Sequence, residues 1–207
     1  MEGTTKPYNE IFIFVLGPPG SGKGTHCNRV TKMLTPPRRC YRHLSVGDYL
    51  RDLRDSKTPY DVKSFDRDMV REYLQDSKLL PAQVLIPLLK HKIDSTPSEK
   101  GFTTTWLIDG FPRNMETALA FEEKIGKPVA VIALKCDRDE AGKRFLKRGR
   151  EQIDDKGRFN KRYDEYVQNM GAIQKHYESI LESISVDREL EYCTLQFMAA
   201  LPPASGD

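Results

Sequence analysis

Nine consecutive residues, Gly17-Pro18-Pro19-Gly20-Ser21-Gly22-Lys23-Gly24-Thr25, carry the first chemical signal in the chain. Glycines let a backbone take up φ > 0 and approach a ligand closely. Successive N–H groups turned inward make an anion nest, and a helix that starts there adds partial positive charge. A lysine at the end of such a turn reaches the outer phosphates of a nucleotide. The pattern is not GxxxxGK[ST], because Gly24 stands where Ser or Thr belongs and Thr25 follows one place late. The segment reads as a phosphate-binding loop, with Gly20, Ser21, Gly22, Lys23, Gly24 and Thr25 as its contacts; a purely structural glycine turn is the alternative.

Such a loop needs a strand before it and a helix after it. The continuous apolar run Ile11–Leu16 supplies the strand, buried on both faces, and Gly22–Leu34 reads as the helix. Thr104–Ile108 and Val129–Leu134 are two further buried-strand candidates, and Tyr41–Ser45 is a weaker one. Apolar residues from Phe159 through Tyr166, Met170, Ile173 and Tyr177 to Ile184 recur at steps of three and four, the stripe of one long amphipathic helix. A short strand at Ile184–Val186 and a helix over Leu190–Leu201 close the chain. Pro87 inside Val84–Leu89 is expected to kink or restart a helix there. Strands alternating with helices imply right-handed βαβ units, hence a parallel sheet covered on both faces.

The 207 residues suffice for a full core without staples. A net charge of +3, from 33 Lys+Arg against 30 Asp+Glu, gives no reason to expect a nucleic-acid binder held by bulk charge. No uncharged apolar run approaches the length of a membrane span, and no secretory signal opens the chain. The four cysteines form no CxxC pair and no zinc-finger spacing with histidine, so they read as reduced thiols in a cytoplasmic, or also nuclear, protein. His26 and His43 have no partner visible in the sequence and read as structural. Thr35–Pro37 and Ser95–Ser98 read as loops, and residues 202–207 as a frayed tail.

Gly17–Thr25 resembles the loop of the nucleoside monophosphate kinases, the family of adenylate kinases and UMP/CMP kinases, in which Gly-Thr after the lysine is the usual form. Other segments match in the same order: His43–Arg51, Leu107–Asn114, Arg144–Gly149, Asp154-Asp155, and Lys161-Arg162 with Tyr166. The resemblance covers roughly residues 11–186. It implies transfer of a phosphoryl group from ATP to a nucleoside monophosphate with Mg²⁺, by a single domain over residues 1–207, expected as a monomer. The fold it implies is the P-loop three-layer α/β fold. A five-stranded parallel sheet has helices on both faces, with a monophosphate-binding region at about 46–82 and a short lid at about 149–160.

The resemblance also assigns roles. Lys23 neutralises the ATP phosphates, and Arg144 flanks the ATP base. Arg51 and Arg113 hold the monophosphate, within a set that includes Ser45, Val46, Gly110, Asn114 and Thr117. Arg148 and Arg162 approach the transferred group. A planar fork that matches phosphate bidentately is the reason for arginine over lysine at such places. Asp109 ends a buried strand, where a carboxylate faces the ligand crevice of a parallel sheet. It is assigned to the waters of Mg²⁺, with capping of the following turn as the alternative.

The chain departs from the family at two places. Five residues separate Arg148 from Asp154-Asp155, and Gln152 occupies the position of a lid arginine, which makes Arg150 the expected substitute and Arg158 the alternative. The monophosphate region carries an extra charged stretch around Asp55–Asp66. Val46 stands where adenylate kinases have Thr and UMP/CMP kinases Ala; Thr117 stands where they have Gln and Asn, respectively. Asn114 resembles the pyrimidine enzymes, so UMP or CMP is favoured slightly over AMP. A catalytically silent nucleotide-binding module is the reading from another class. A guanine-specific switch lacks support, since no Asn-Lys-x-Asp occurs.

Overall fold

The apolar run near the start of the chain forms β1 (Glu10–Leu16), and Phe12 to Leu16 are all buried. Its alternate side chains enter opposite layers, as the strand period requires. Phe12, Phe14 and Leu16 face one cluster, and Ile13 and Val15 face the other. The computed structural model describes residues 10–55, 66–76, 78–98, 101–148 and 155–203. In it β1 is the centre of a five-stranded parallel sheet. The other strands are β2 (Arg39–Ser45), β3 (Thr103–Asp109), β4 (Pro128–Lys135) and β5 (Leu181–Ser185), in the order β2-β3-β1-β4-β5.

Helices cover both faces, as expected. On the Ile13 side, α1 (Lys23–Met33) contributes Cys27 and Val30, and α8 (Leu190–Ala199) contributes Cys193 and Phe197. On the Phe14 side lie α2 (Val46–Asp55), α3 (Arg67–Gln75), α4 (Ala82–Ser95), α5 (Met115–Lys124) and α7 (Lys156–His176). There Phe14 packs edge-on against Phe111, Phe121 and Tyr177 at centroid distances of 5.3, 5.2 and 5.7 Å. A third, small cluster joins α6 (Arg138–Arg148) to α7 through Phe145 and Phe159. All four cysteines are free thiols. Among the described residues no helix is long and apolar enough to cross a membrane.

Two expectations are corrected. The helix inferred from Phe159 to Ile184 ends at His176, and the last strand is Leu181–Ser185 rather than Ile184–Val186. Tyr177 buries its ring on Phe14 and closes the helix, and a 3₁₀ turn over Glu178–Ile180 delivers Leu181 beside Val131 of β4. The spacing of Tyr177, Ile180, Leu181 and Ile184 suits a helix, but the ladder to β4 outweighs that local periodicity. Pro87 neither ends nor restarts α4, which runs unbroken through it. Leu85, Ile86, Leu88 and Leu89 around it are all buried, and their burial offsets the backbone hydrogen bond that proline cannot make.

The start of α4 has no cap of its own, since Pro81 precedes it. Glu116, in the first turn of α5, accepts a hydrogen bond from the Ala82 N–H at 3.1 Å and caps it from outside. Glu116→Ala is expected to lower the unfolding free energy by about 1 kcal/mol, the typical value of a lost cap. Urea denaturation of the two proteins measures this, and an unchanged midpoint would remove the cap from the account.

Candidate active site

Sheet register brings the ends of three strands into one row. Asp109 pairs with Val15 on one side and Ser45 on the other, and the Gly110 N–H donates to the Val15 carbonyl. The turn that follows β1 therefore opens beside the turn that follows β3. Within the first turn the Ser21 N–H donates to Pro18 O, and the His26 N–H donates to Gly22 O, which starts α1. Gly22, at φ 88°, precedes that helix. Gly20, at φ +87°, rests on α6 so closely that a Cβ there would lie 2.0 Å from the Ala141 carbonyl oxygen.

A cavity of about 340 Å³ opens above this row. Among the described residues its walls carry Lys23, Arg51, Arg113, Arg144, Arg148 and Arg162, with two carboxylates, Asp109 and Glu165. The Lys23 ammonium donates to Gly17 O and Pro18 O, both at 2.9 Å. Desolvation in the cavity pulls its pKa down to about 8, against the pull of Asp109 and with the repulsion of Arg113, Arg162 and Arg148. Arg162 is lowered for the same reason, desolvation first and its arginine neighbours next. Arg113 donates through Nε to Gly110 O at 3.3 Å, and its Nη1 lies 3.9 Å from Glu165 Oε1. Arg51 is paired with Asp48. Arg148 lies over the Phe145 ring at 4.1 Å. Arg144 is held at the rim by Glu140 at 2.8 Å and the Val186 carbonyl at 3.0 Å. A crevice of this charge, floored by inward-facing backbone, is suited to polyphosphate.

A second, narrower cavity of about 60 Å³ shares Arg51, Gly110, Arg113 and Arg162 with the first. Val46, Leu50, Leu85, Phe111 and Thr117 give it an apolar wall, and Arg158 lies at its edge. Such a slot beside a phosphate site suits a flat base. Thr117 is in this wall, but its hydroxyl donates to Asn114 Oδ1 at 2.8 Å. Asn114 lines neither cavity. Its side-chain oxygen also accepts from the Thr117 N–H and caps α5. Ser21 is fully buried beneath the loop, whereas Gly20, Gly22, Gly24, Thr25 and Ser45 line the larger cavity. Arg150 lies outside the described residues, as do residues 56–65 of the extra charged stretch.

His26 is structural, as expected. Its Nδ1 is 3.1 Å from Thr194 Oγ1, its ring stacks on Phe197, and burial pulls its pKa down to about 4. His43 also has partners that the sequence did not show: Nε2 is 3.3 Å from Asp109 Oδ2 and Nδ1 is 2.9 Å from Asn28 Oδ1. Sequence reasoning also missed Glu165, Met170 and the place of Arg158. Only the rotation of α7 toward the sheet marks them. Among the described residues no group of three or more His, Cys, Asp or Glu could hold a metal ion. A cation could be held here only with a ligand's phosphates and water, and Asp109 is the carboxylate nearest the loop lysine's side of the cavity.

A sequence model of the adenylate kinase family matches residues 15–181. The UMP-CMP kinase of Homo sapiens is 34% identical over 143 residues, which is 68% of this chain and 68% of the human protein. UMP-CMP kinase 2 of Oryza sativa subsp. japonica is 34% identical over 155 residues, 74% of this chain and 56% of the rice protein. Probable UMP-CMP kinase 2 of Arabidopsis thaliana is 35% identical over 146 residues, 70% of this chain and 50% of that protein. The chain thus spans between half and about two thirds of these relatives.

The two glycines at φ near +88° should respond differently to alanine. Only the left-handed backbone is strained in Gly22→Ala, a cost of about 1–2 kcal/mol. Gly20→Ala adds a collision with the Ala141 main chain and is expected to exceed about 3 kcal/mol, since overpacking contributes a further 1–3. Urea unfolding compares them; equal losses would show that contact with α6 does not constrain the loop.

Proposed function

The chain belongs to the adenylate kinase family, and we propose that it transfers the γ-phosphoryl group of ATP to a nucleoside monophosphate, with UMP or CMP preferred to AMP. The observation that carries this reading is the convergence of the glycine-rich turn, Lys23 and the cavity arginines on one desolvated crevice. Phosphoryl transfer asks the protein for position and positive charge rather than for covalent chemistry.

The backbone of Gly20–Thr25 receives the ATP phosphates at the start of α1. Lys23 exchanges the Gly17 and Pro18 carbonyls for phosphate oxygens, and the added negative charge restores its proton affinity. Arg51 and Arg113 hold the acceptor phosphate, Arg148 and Arg162 approach the transferred group, and Arg144 flanks the ATP base. Arg150 remains the proposed source of the lid charge. Arg158 is the alternative, supported by its contribution to the positive field at Arg162. Mg²⁺ bound with ATP would neutralise phosphate charge, and Asp109 is the residue that would hold it, through water. The acceptor base enters the slot beside Val46 and Thr117. Residues 1–207 act as one domain, with a monophosphate-binding region at about 46–82 and a short lid at about 149–160, a reading supported by the single sheet whose strand ends open onto one cavity. A cytoplasmic site of action fits four free thiols, and a monomer suffices because one chain supplies every group named.

Lys23→Met is expected to lower kcat by about 10²–10⁴-fold, the range for one well-placed electrostatic donor, in a coupled assay of ADP formation. A variant with more than about a tenth of the wild-type kcat, well outside that range, would overturn the role of Lys23. A wild-type protein that binds ATP without forming ADP would instead be the silent module.

The base slot has a valine at its mouth and a threonine whose hydroxyl is already engaged with Asn114. Strong selection comes from buried polar groups that only the right substrate satisfies, so preferences nearer ~10-fold than ~10⁴-fold are expected. Measured as kcat/KM at fixed ATP, UMP or CMP should exceed AMP, and Val46→Thr with Thr117→Gln should move preference toward AMP. An AMP value more than about 100-fold above both pyrimidines, the scale of real discrimination, would make AMP the substrate.

A further inference from the structure

Among the described residues, Asp109 and Glu165 are the two carboxylates in the walls of the larger cavity. Asp109 meets His43 at 3.3 Å. Glu165 has no equivalent. Its Oε1 lies 3.9 Å from Arg113 Nη1, too far for a hydrogen bond, and among the described residues its carboxylate accepts none. Its side chain is 23% exposed. A helix residue that only decorated the surface would keep its carboxylate in water. This one faces inward, one turn after Arg162, toward a residue assigned to the acceptor phosphate.

Among the described residues Arg113 has one close anchor, the 3.3 Å bond from Nε to Gly110 O. The outer nitrogens of its guanidinium are therefore directed by charge. We propose that Glu165 is a resident anion for Arg113, which holds the guanidinium in the crevice until the phosphate of the monophosphate takes its place. This inference rests on the kinase reading above. Phosphate offers three strong acceptor oxygens and a bidentate match to guanidinium, so it outcompetes a carboxylate held beyond hydrogen-bond distance. The exchange has an electrostatic consequence. A carboxylate left beside a bound dianion repels it, so ionised Glu165 lowers affinity for the monophosphate while keeping Arg113 in position.

The charged groups around Glu165 are Arg113, from the turn after β3, and Arg162 and Lys161, from α7 itself. They favour the ionised carboxylate, but burial is the larger influence and holds the Glu165 carboxyl above the usual range. The sign follows. Above that raised pKa Glu165 is charged and competes with phosphate; as pH falls through it, the proton removes the competition.

The test is calorimetric titration of the wild type and Glu165→Gln with UMP, without ATP, and with inorganic phosphate as a probe independent of the base. At about pH 8 the variant should bind both ligands on the order of 10-fold tighter, as expected for removing a like charge a few ångströms away. At about pH 5 the ratio between the two proteins should be smaller than at about pH 8, because the raised wild-type carboxyl takes up protons as pH falls. Only the ratio is read, since the ligands themselves take up a proton over this range. Thermal melting checks that the variant is folded. Equal affinities at about pH 8, or a variant that is weaker at both pH values, would overturn the proposal. UMP binding with no change in the variant leaves the kinase reading intact and removes this one. A pH-dependent gap for phosphate with no binding of any monophosphate does the reverse.

Discussion

Repulsion among enclosed cations is the constraint on which this structure turns. Among the described residues, six positively charged side chains share a cavity of about 340 Å³ with two carboxylates. Desolvation and like charge together draw the Lys23 ammonium down to about 8 and lower Arg162 as well. Nothing local would hold these groups together, so the scaffold must. The register that sets Asp109 between Val15 and Ser45 fixes where the loops open, and the aromatic packing of Phe14, Phe111 and Phe121 fixes the turn that leads to Arg113. Two main-chain carbonyls accept from Lys23, and the two acids absorb part of the remaining field. A ligand that brings negative charge relieves the same strain, and whatever binds only the folded state stabilises it by mass action.

The side of the crevice formed by α6 and α7 is held by a separate device. Phe145 of α6 and Phe159 of α7 lie 5.5 Å apart, and Arg148 and Arg162 sit over the Phe145 ring at 4.1 and 5.8 Å. One small apolar cluster thus aims two arginines from two helices. The first turns of α7 also reach the end of α3. Arg158 donates to Leu74 O at 2.9 Å, and Lys161 donates to Asp76 O, both at the carboxyl end of α3. Carbonyls at a helix end lack intrahelical partners and carry partial negative charge. Cations from α7 satisfy them, so the helix that carries Arg162 also anchors α3, whose Leu74 lines the narrower cavity.

What could be read from the sequence was chemistry encoded in contiguous spacing. Glycines, Lys23 and a preceding apolar run specify a phosphate loop because backbone freedom, a reaching cation and a buried strand are local properties. The parallel sheet followed in the same way, since strands buried on both faces read as continuous apolar runs. The motifs around Arg51, Arg113 and Arg148 were legible as segments, and the structure sets all three on one cavity.

Tertiary structure alone decided what joins distant positions. The stripe through Tyr177, Ile180 and Ile184 satisfies a helix, and only the presence of β4 alongside turned its end into β5. His43 finds Asp109 across the sheet, 66 positions away. Asn114 spends its side chain on the cap of α5, which no spacing distinguishes from a contact to a base. Glu165 meets Arg113, and Arg158 meets Leu74, because of how α7 is rotated against the sheet. Local sequence sets which groups a segment offers; register and helix rotation set which of them meet, and those depend on the packing of the whole core at once.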